Sequence, residues 1–139
     1  MAREMAAIVL ASALVLAGGG MTATAAEGWP NDITREELQA LQSGPDAPLL
    51  LDVRSAEEFA AGHIPGALNV PHDQAAARLE ELQPYRQRGI VLYCKSGRRA
   101  GLAAEVLARA GFSRLRHLAG DMPGWIAAGL PVETAGAAH

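Results

Sequence analysis

The chain's single cysteine and single lysine are neighbours, Cys94 and Lys95, and Ser96-Gly97-Arg98-Arg99 follows at once. A thiol attacks as the thiolate, and an ordinary thiol is only a few per cent ionised at neutral pH. Lys95, Arg98 and Arg99 place three cations within five residues, which favours the anion and would also grip an anionic substrate. The apolar run Ile90-Val91-Leu92-Tyr93 leads in, and an alanine- and leucine-rich stretch from Arg99 to Ala110 leads out. The cysteine therefore sits where a strand gives way to a helix N-terminus, whose unpaired N–H groups and positive dipole end add further support for negative charge. Gly97 lets successive amides turn inward as an anion nest. This pattern predicts nucleophilic catalysis by Cys94, with Lys95, Ser96, Gly97, Arg98 and Arg99 binding the substrate.

Spacing narrows the chemistry. A dithiol redox pair needs a second cysteine at position 97, where Gly97 stands. A phosphatase loop of the Cys-x5-Arg type needs arginine at position 100, where Ala100 stands. Arg99 gives Cys-x4-Arg, a loop one residue tighter and suited to a smaller anion. A buried structural cysteine does not call for flanking cations, and one cysteine makes no disulfide within a monomer. The four histidines show no ligand spacing, so no metal is expected.

The flanking elements have to carry this loop. Thr34-Arg35-Glu36-Glu37 and Ser55-Ala56-Glu57-Glu58 each match a capping box. The first opens a helix that ends at Ser43-Gly44-Pro45, the second a short helix near Phe59. Leu49 to Val53, Ala67 to Val70, Ile90 to Tyr93 and Leu115 to Leu118 read as strands, the first apolar but for Asp52 and the third apolar throughout. Helical composition runs from Asp73 to Leu82, from Arg99 to Ala110 with Gly111 as its stop, and from Met122 to Ala128. Apolar strands alternating with helices predict an α/β domain with a mainly parallel sheet of four to five strands, covered on both faces. Ligands of such sheets bind beyond the strands' carboxyl ends, so the loops starting at Asp52, Cys94 and Ala119 should converge on one rim.

Supporting roles divide between site and scaffold. Asp52 and Arg54 either orient the loop arginines and line the pocket or form a buried ion pair, the reading preferred for Asp52. Gly120-Asp121 is placed to close one side of the pocket. His63, in the His-Ile-Pro-Gly turn, and Trp125 read as structural. Arg114 and Arg116 alternate with Leu115 as on a solvated strand edge.

The chain has 139 residues, half of them apolar, and a net charge of −3. One domain is expected, and nothing suggests a nucleic-acid partner. Residues 1–26 read as a signal peptide: Ala6 to Ala17 is apolar but shorter than the roughly 20 residues a spanning helix wants, and small residues follow up to a cleavage point before Ala26 or Glu27. Cleavage leaves a domain at 27–139, with a core at about 32–133 and a frayed tail at 134–139, in the periplasm or outside the cell. An uncleaved membrane anchor is the alternative.

Leu51-Asp52-Val53-Arg54 through Glu58-Phe59-Ala60-Ala61-Gly62-His63-Ile64-Pro65-Gly66-Ala67, the loop Tyr93 to Ala100, and Leu118-Ala119-Gly120-Asp121-Met122-Pro123-Gly124-Trp125 together resemble a single-domain rhodanese-family sulfurtransferase. The family often has arginine after its cysteine, where this chain has Lys95. The resemblance implies the three-layer rhodanese-like fold and a double displacement with no cofactor. Cys94 takes the outer sulfur of a small anionic donor such as thiosulfate, holds it as a persulfide, and passes it to cyanide or a thiol. The other reading is a non-catalytic sulfur carrier or partner-binding module of the cell envelope. A monomer is expected, without stable membrane insertion once the leader is removed.

Overall fold

The computed structural model describes residues 31–135; the leader expected at 1–26 and the end of the tail lie outside them. Five parallel strands form one sheet in the order β1-β5-β4-β2-β3, where β1 is Asn31–Ile33, β2 Leu49–Asp52, β3 Leu68–Asn69, β4 Ile90–Tyr93 and β5 Leu115–Leu118. The helices are α1 (Arg35–Gln42), α2 (Ala56–Ala61), α3 (Leu79–Leu82), α4 (Arg98–Arg109) and α5 (Asp121–Ala127). The expected α/β class and parallel sheet are found. Both capping boxes form: the Thr34 hydroxyl accepts the Glu37 N–H and the Ser55 hydroxyl that of Glu58, while each glutamate reaches back to its cap's N–H.

Strand alternation sorts the apolar residues into two layers. From β2 and β4, Leu51, Ile90, Leu92 and Cys94 face one side, against Ala103, Ala104 and Leu107 of α4. Leu50, Val91 and Tyr93 face the other, against Leu38 of α1 and Met122 and Trp125 of α5. This double burial is why β4 is apolar at every position. The order also places a reversal at the centre. The chain leaves β2 toward β3 on one side and leaves β4 toward β5 on the other. The crevice beyond the carboxyl ends of β2 and β4 is thus the topological switch point, and both Asp52–Arg54 and the cysteine loop open into it.

Two expectations need correction. Asp73 to Leu82 is not one helix but two 3₁₀ turns, His72–Gln74 and Ala76–Arg78, followed by the single turn α3. None of these starts has a side-chain cap, and the small alanines bury little, so the chain bends to keep Ala75 and Leu82 in the core. Arg116 is not on a sheet edge, because β5 lies between β1 and β4. The edge on this side is β1, which no sequence period marked: only Ile33 of its three residues is buried. Among the described residues no helix is long and apolar enough to cross a membrane.

Leu92 is fully buried in the central strand. Leu92→Ala should lower the unfolding free energy by about 2–5 kcal/mol, read as a reduced midpoint in urea at unchanged m-value.

Candidate active site

The cysteine leaves β4 with both its backbone groups held by α5. The Cys94 N–H donates to Asp121 Oδ1 at 2.9 Å, and the Met122 N–H donates to the Cys94 carbonyl at 3.0 Å. The chain then reverses through Lys95 and Ser96 to Gly97, whose φ of 92° lies in the left-handed region. A side chain there would be strained by the backbone alone, and its Cβ would lie 3.5 Å from the His117 ring and 3.6 Å from Asp121 Oδ2. The outcome is a hydrogen bond from the Gly97 N–H to Cys94 Sγ at 3.0 Å. Helix α4 starts at the next residue, so its positive end faces the sulfur. Cys94 is wholly buried, while Lys95, Ser96 and Arg98 are exposed around it.

Arg99 ends the loop in a two-pronged pair with Glu58: Nη1 donates to Oε1 at 2.7 Å and Nη2 to Oε2 at 3.1 Å. Glu58 Oε1 also accepts the Ser55 N–H and hydroxyl, so the capping box of α2 doubles as the anchor of the cysteine loop. The Arg99 bond, then the Ser55 donors acting against partial desolvation, lower the Glu58 carboxyl to about 2. The guanidinium is in turn raised by the same bond. Glu58 had shown in the sequence only as a helix start.

Asp52 and Arg54 form a buried pair, with Arg54 Nη2 2.7 Å from Asp52 Oδ2 and also donating to the Gly62 carbonyl at 2.7 Å. The scaffold reading of Asp52 fits this geometry. The hydrogen bonds of Arg99 go to Glu58 and not to Asp52. Arg54 does reach the crevice. A groove of about 640 Å³ there is lined by Arg54, Glu58 and Lys95 and by apolar Met122, Pro123 and Ile126, among others.

Below the loop lies a network that sequence reasoning missed. His117 of β5 points Nε2 at both carboxylate oxygens of Asp121, at 2.9 and 3.0 Å, and Nδ1 at Asp32 Oδ1 of β1, at 3.1 Å. The Asp121 contact, ahead of desolvation and the Asp32 contact, raises the imidazole above its ordinary value. Asp121 had been placed beside the pocket; it instead sits behind the cysteine. It holds a φ of 52° that few non-glycine residues adopt. His63 and Trp125 are structural as expected: His63 Nδ1 lies 2.8 Å from the Phe59 carbonyl with its ring stacked on Phe59, and Trp125 Nε1 donates to the Pro131 carbonyl.

Comparison with known proteins decides the family. The model of the rhodanese-like domain matches residues 34–128, an unbroken span containing every residue of the loop. The chain belongs to the rhodanese family. Among rhodanese relatives, a sulfurtransferase of Allochromatium vinosum is 34% identical over 102 residues, 73% of this chain and 94% of that protein. An HTH-type transcriptional regulator of Mycobacterium tuberculosis is 41% identical over 109 residues, but those span only 46% of its length against 76% of this chain. A human single-domain sulfurtransferase superposes with a TM-score of 0.61 at 29% identity, covering 72% of this chain and 97% of its own. The domain thus occurs both alone and within larger proteins.

The Glu58 carboxyl is depressed in the folded rhodanese domain, so the unfolded chain binds more protons between about 2 and the ordinary 4.5. The pair's contribution is present above 4.5 and lost as pH falls through that window. Glu58→Gln should flatten this acid limb. Thermal unfolding of wild type and variant should differ most above about pH 5 and converge as pH falls toward about 2.

Proposed function

We propose that this rhodanese is a thiosulfate-type sulfurtransferase working through a Cys94 persulfide. The family and its sulfurtransferase members support sulfur transfer as the general reaction. One observation carries the finer reading: an amide, Gly97 N–H, aimed at Cys94 Sγ from 3.0 Å at the start of a twelve-residue helix. A donor so placed stabilises negative charge on the sulfur without reorganising. In the first step the thiolate attacks the outer sulfur of thiosulfate, the S–S bond of the donor breaks, and sulfite leaves with the electron pair. In the second step cyanide or a thiolate attacks the outer sulfur of the persulfide and releases Cys94. Dividing the transfer in this way replaces one difficult displacement with two easier ones.

The division of cations supports a small anionic donor. Arg99 is neutralised by Glu58 and shapes the loop, leaving exposed Lys95 and Arg98 to attract the anion. Lys95 is a point charge where a guanidinium would offer a planar fork, so it attracts the donor while exerting little demand on its shape. Wild-type protein incubated with thiosulfate alone should gain the mass of one sulfur atom at Cys94, and with cyanide added should release thiocyanate. Cys94→Ser should lose both; thiocyanate formation that survives the substitution would refute the reading.

Export belongs to the same proposal. The N-terminal segment is read as a signal peptide, with sulfur transfer taking place in the periplasm or outside the cell. N-terminal sequencing of the exported protein should find Ala26 or Glu27 first, whereas a membrane-bound chain retaining Met1 would establish the anchor instead.

A further inference from the structure

Behind the cysteine stands an arrangement that sulfur transfer alone does not explain. Asp121 places a buried carboxylate directly on the Cys94 amide, at 2.9 Å, in a region otherwise built to hold negative charge on the sulfur. An uncompensated carboxylate there would oppose the thiolate and the persulfide anion. Its compensation is His117, bound to both oxygens and steadied from the far side by Asp32. A single residue couples the two systems. Gly97 donates to the sulfur with its amide, and a side chain at that position would point at the His117 ring and Asp121 Oδ2.

We propose that His117 and Asp121 are positioning residues that make the cysteine's nucleophilicity depend on the protonation of His117. As imidazolium, His117 cancels the charge of Asp121 and leaves the helix end and the Gly97 amide dominant at Sγ. As neutral imidazole, it keeps a hydrogen bond but leaves the carboxylate's charge bare behind the sulfur. Among the described residues, the imidazole meets the carboxylates of Asp121 from α5 and Asp32 from β1; the cysteine loop presents uncharged Gly97, and Arg116 points to the opposite sheet face by strand alternation. Both carboxylates favour the imidazolium, in keeping with the upward displacement of His117. The device is therefore engaged at neutral and mildly acidic pH and released as pH rises through the raised value.

The strain at Asp121 fits this role. Glycine would adopt φ 52° freely, yet a carboxylate stands there, carrying the bonds to Cys94 and His117. Asparagine tolerates the same backbone, which makes the charge separable from the fold.

The inference rests on reading Cys94 as the nucleophile, so its test measures the thiol directly with iodoacetamide, without any sulfur donor. At about pH 6, His117→Gln, which retains a neutral donor, should alkylate Cys94 about tenfold more slowly than wild type, the order of factor expected from one uncompensated charge nearby. Asp121→Asn, which keeps an acceptor for the Cys94 amide, should not be slowed, and Asp121→Asn combined with His117→Gln should recover the lost rate. A double variant as slow as His117→Gln, or slower, overturns the inference, since that is what a structural role predicts. Asp32→Asn alters a side chain that is two-thirds exposed (67%) and tests the same point should a buried variant fail to fold. It should slow alkylation about two- to threefold near pH 7 by weakening the imidazolium, and an unchanged rate counts against the device. A chain that shows this pattern yet ignores thiosulfate would leave the inference standing and the proposed reaction wrong.

Discussion

The structure depends on one demanding reversal, from the end of β4 at Tyr93 to the start of α4 at Arg98. A buried strand must stop, expose a short loop, and begin a helix whose first amides look back at the residue just left. Two backbone devices make this possible. Gly97 turns through a left-handed conformation that L side chains resist, and α5 clasps Cys94 by its N–H and its carbonyl. The clasp fixes where the strand ends, and the glycine fixes where the helix begins. With both ends defined, the Gly97 amide has little freedom except to meet Sγ.

The sheet supplies what local sequence cannot. Strand order β5-β4-β2 brings the loops after all three strands to one rim, and each contributes a different constraint. From β2 comes the turn into α2, whose capping glutamate holds Arg99. From β5 comes His117 and, two residues past the strand, the Gly120-Asp121 turn that starts α5. The cysteine loop is thus held by an ion pair to one neighbour and by a backbone hydrogen bond to a carboxylate of the other, and neither is close to it in sequence: 41 residues separate Arg99 from Glu58 and 27 separate Cys94 from Asp121.

That separation explains what could be read beforehand. Four of the five strands, the longer helices and the cysteine loop were legible because each announces itself locally, through apolar runs, capping boxes and a cysteine beside cations and a glycine. Convergence of three loops was legible from element order alone. Glu58 was read correctly as a cap but not as a partner of Arg99, since a capping box accounts for its hydrogen bonds to Ser55 without any further contact. His117 was hidden by its surroundings: Leu115-Arg116-His117-Leu118 reads as an ordinary amphipathic strand, and only the pairing of β5 with β1 and the left-handed turn at Asp121 give the imidazole its carboxylates. The 3₁₀ path after Pro71 was illegible for the opposite reason, because its composition satisfies a helix while the packing of Ala75 and Leu82 does not require one.

The charges around the loop then sort by what they can still do. Among the ionised groups around Cys94, Arg99 is paired with Glu58, Arg54 with Asp52 and, behind the sulfur, Asp121 with His117. Lys95 and Arg98 are exposed at the mouth and retain their charge for whatever approaches. Pairing removes the long-range field of a group but keeps its geometry, so the inner ion pairs act as struts and the outer cations as attractants. A deeper anion cradle would require Arg99 to face the ligand, at the cost of the contact that holds the loop against α2. On the function proposed above, the six-residue loop would suit a donor small enough to be held near the Gly97 amide at the sulfur and drawn in by surface charge. A larger oxyanion would need the guanidinium that this fold has already spent on Glu58.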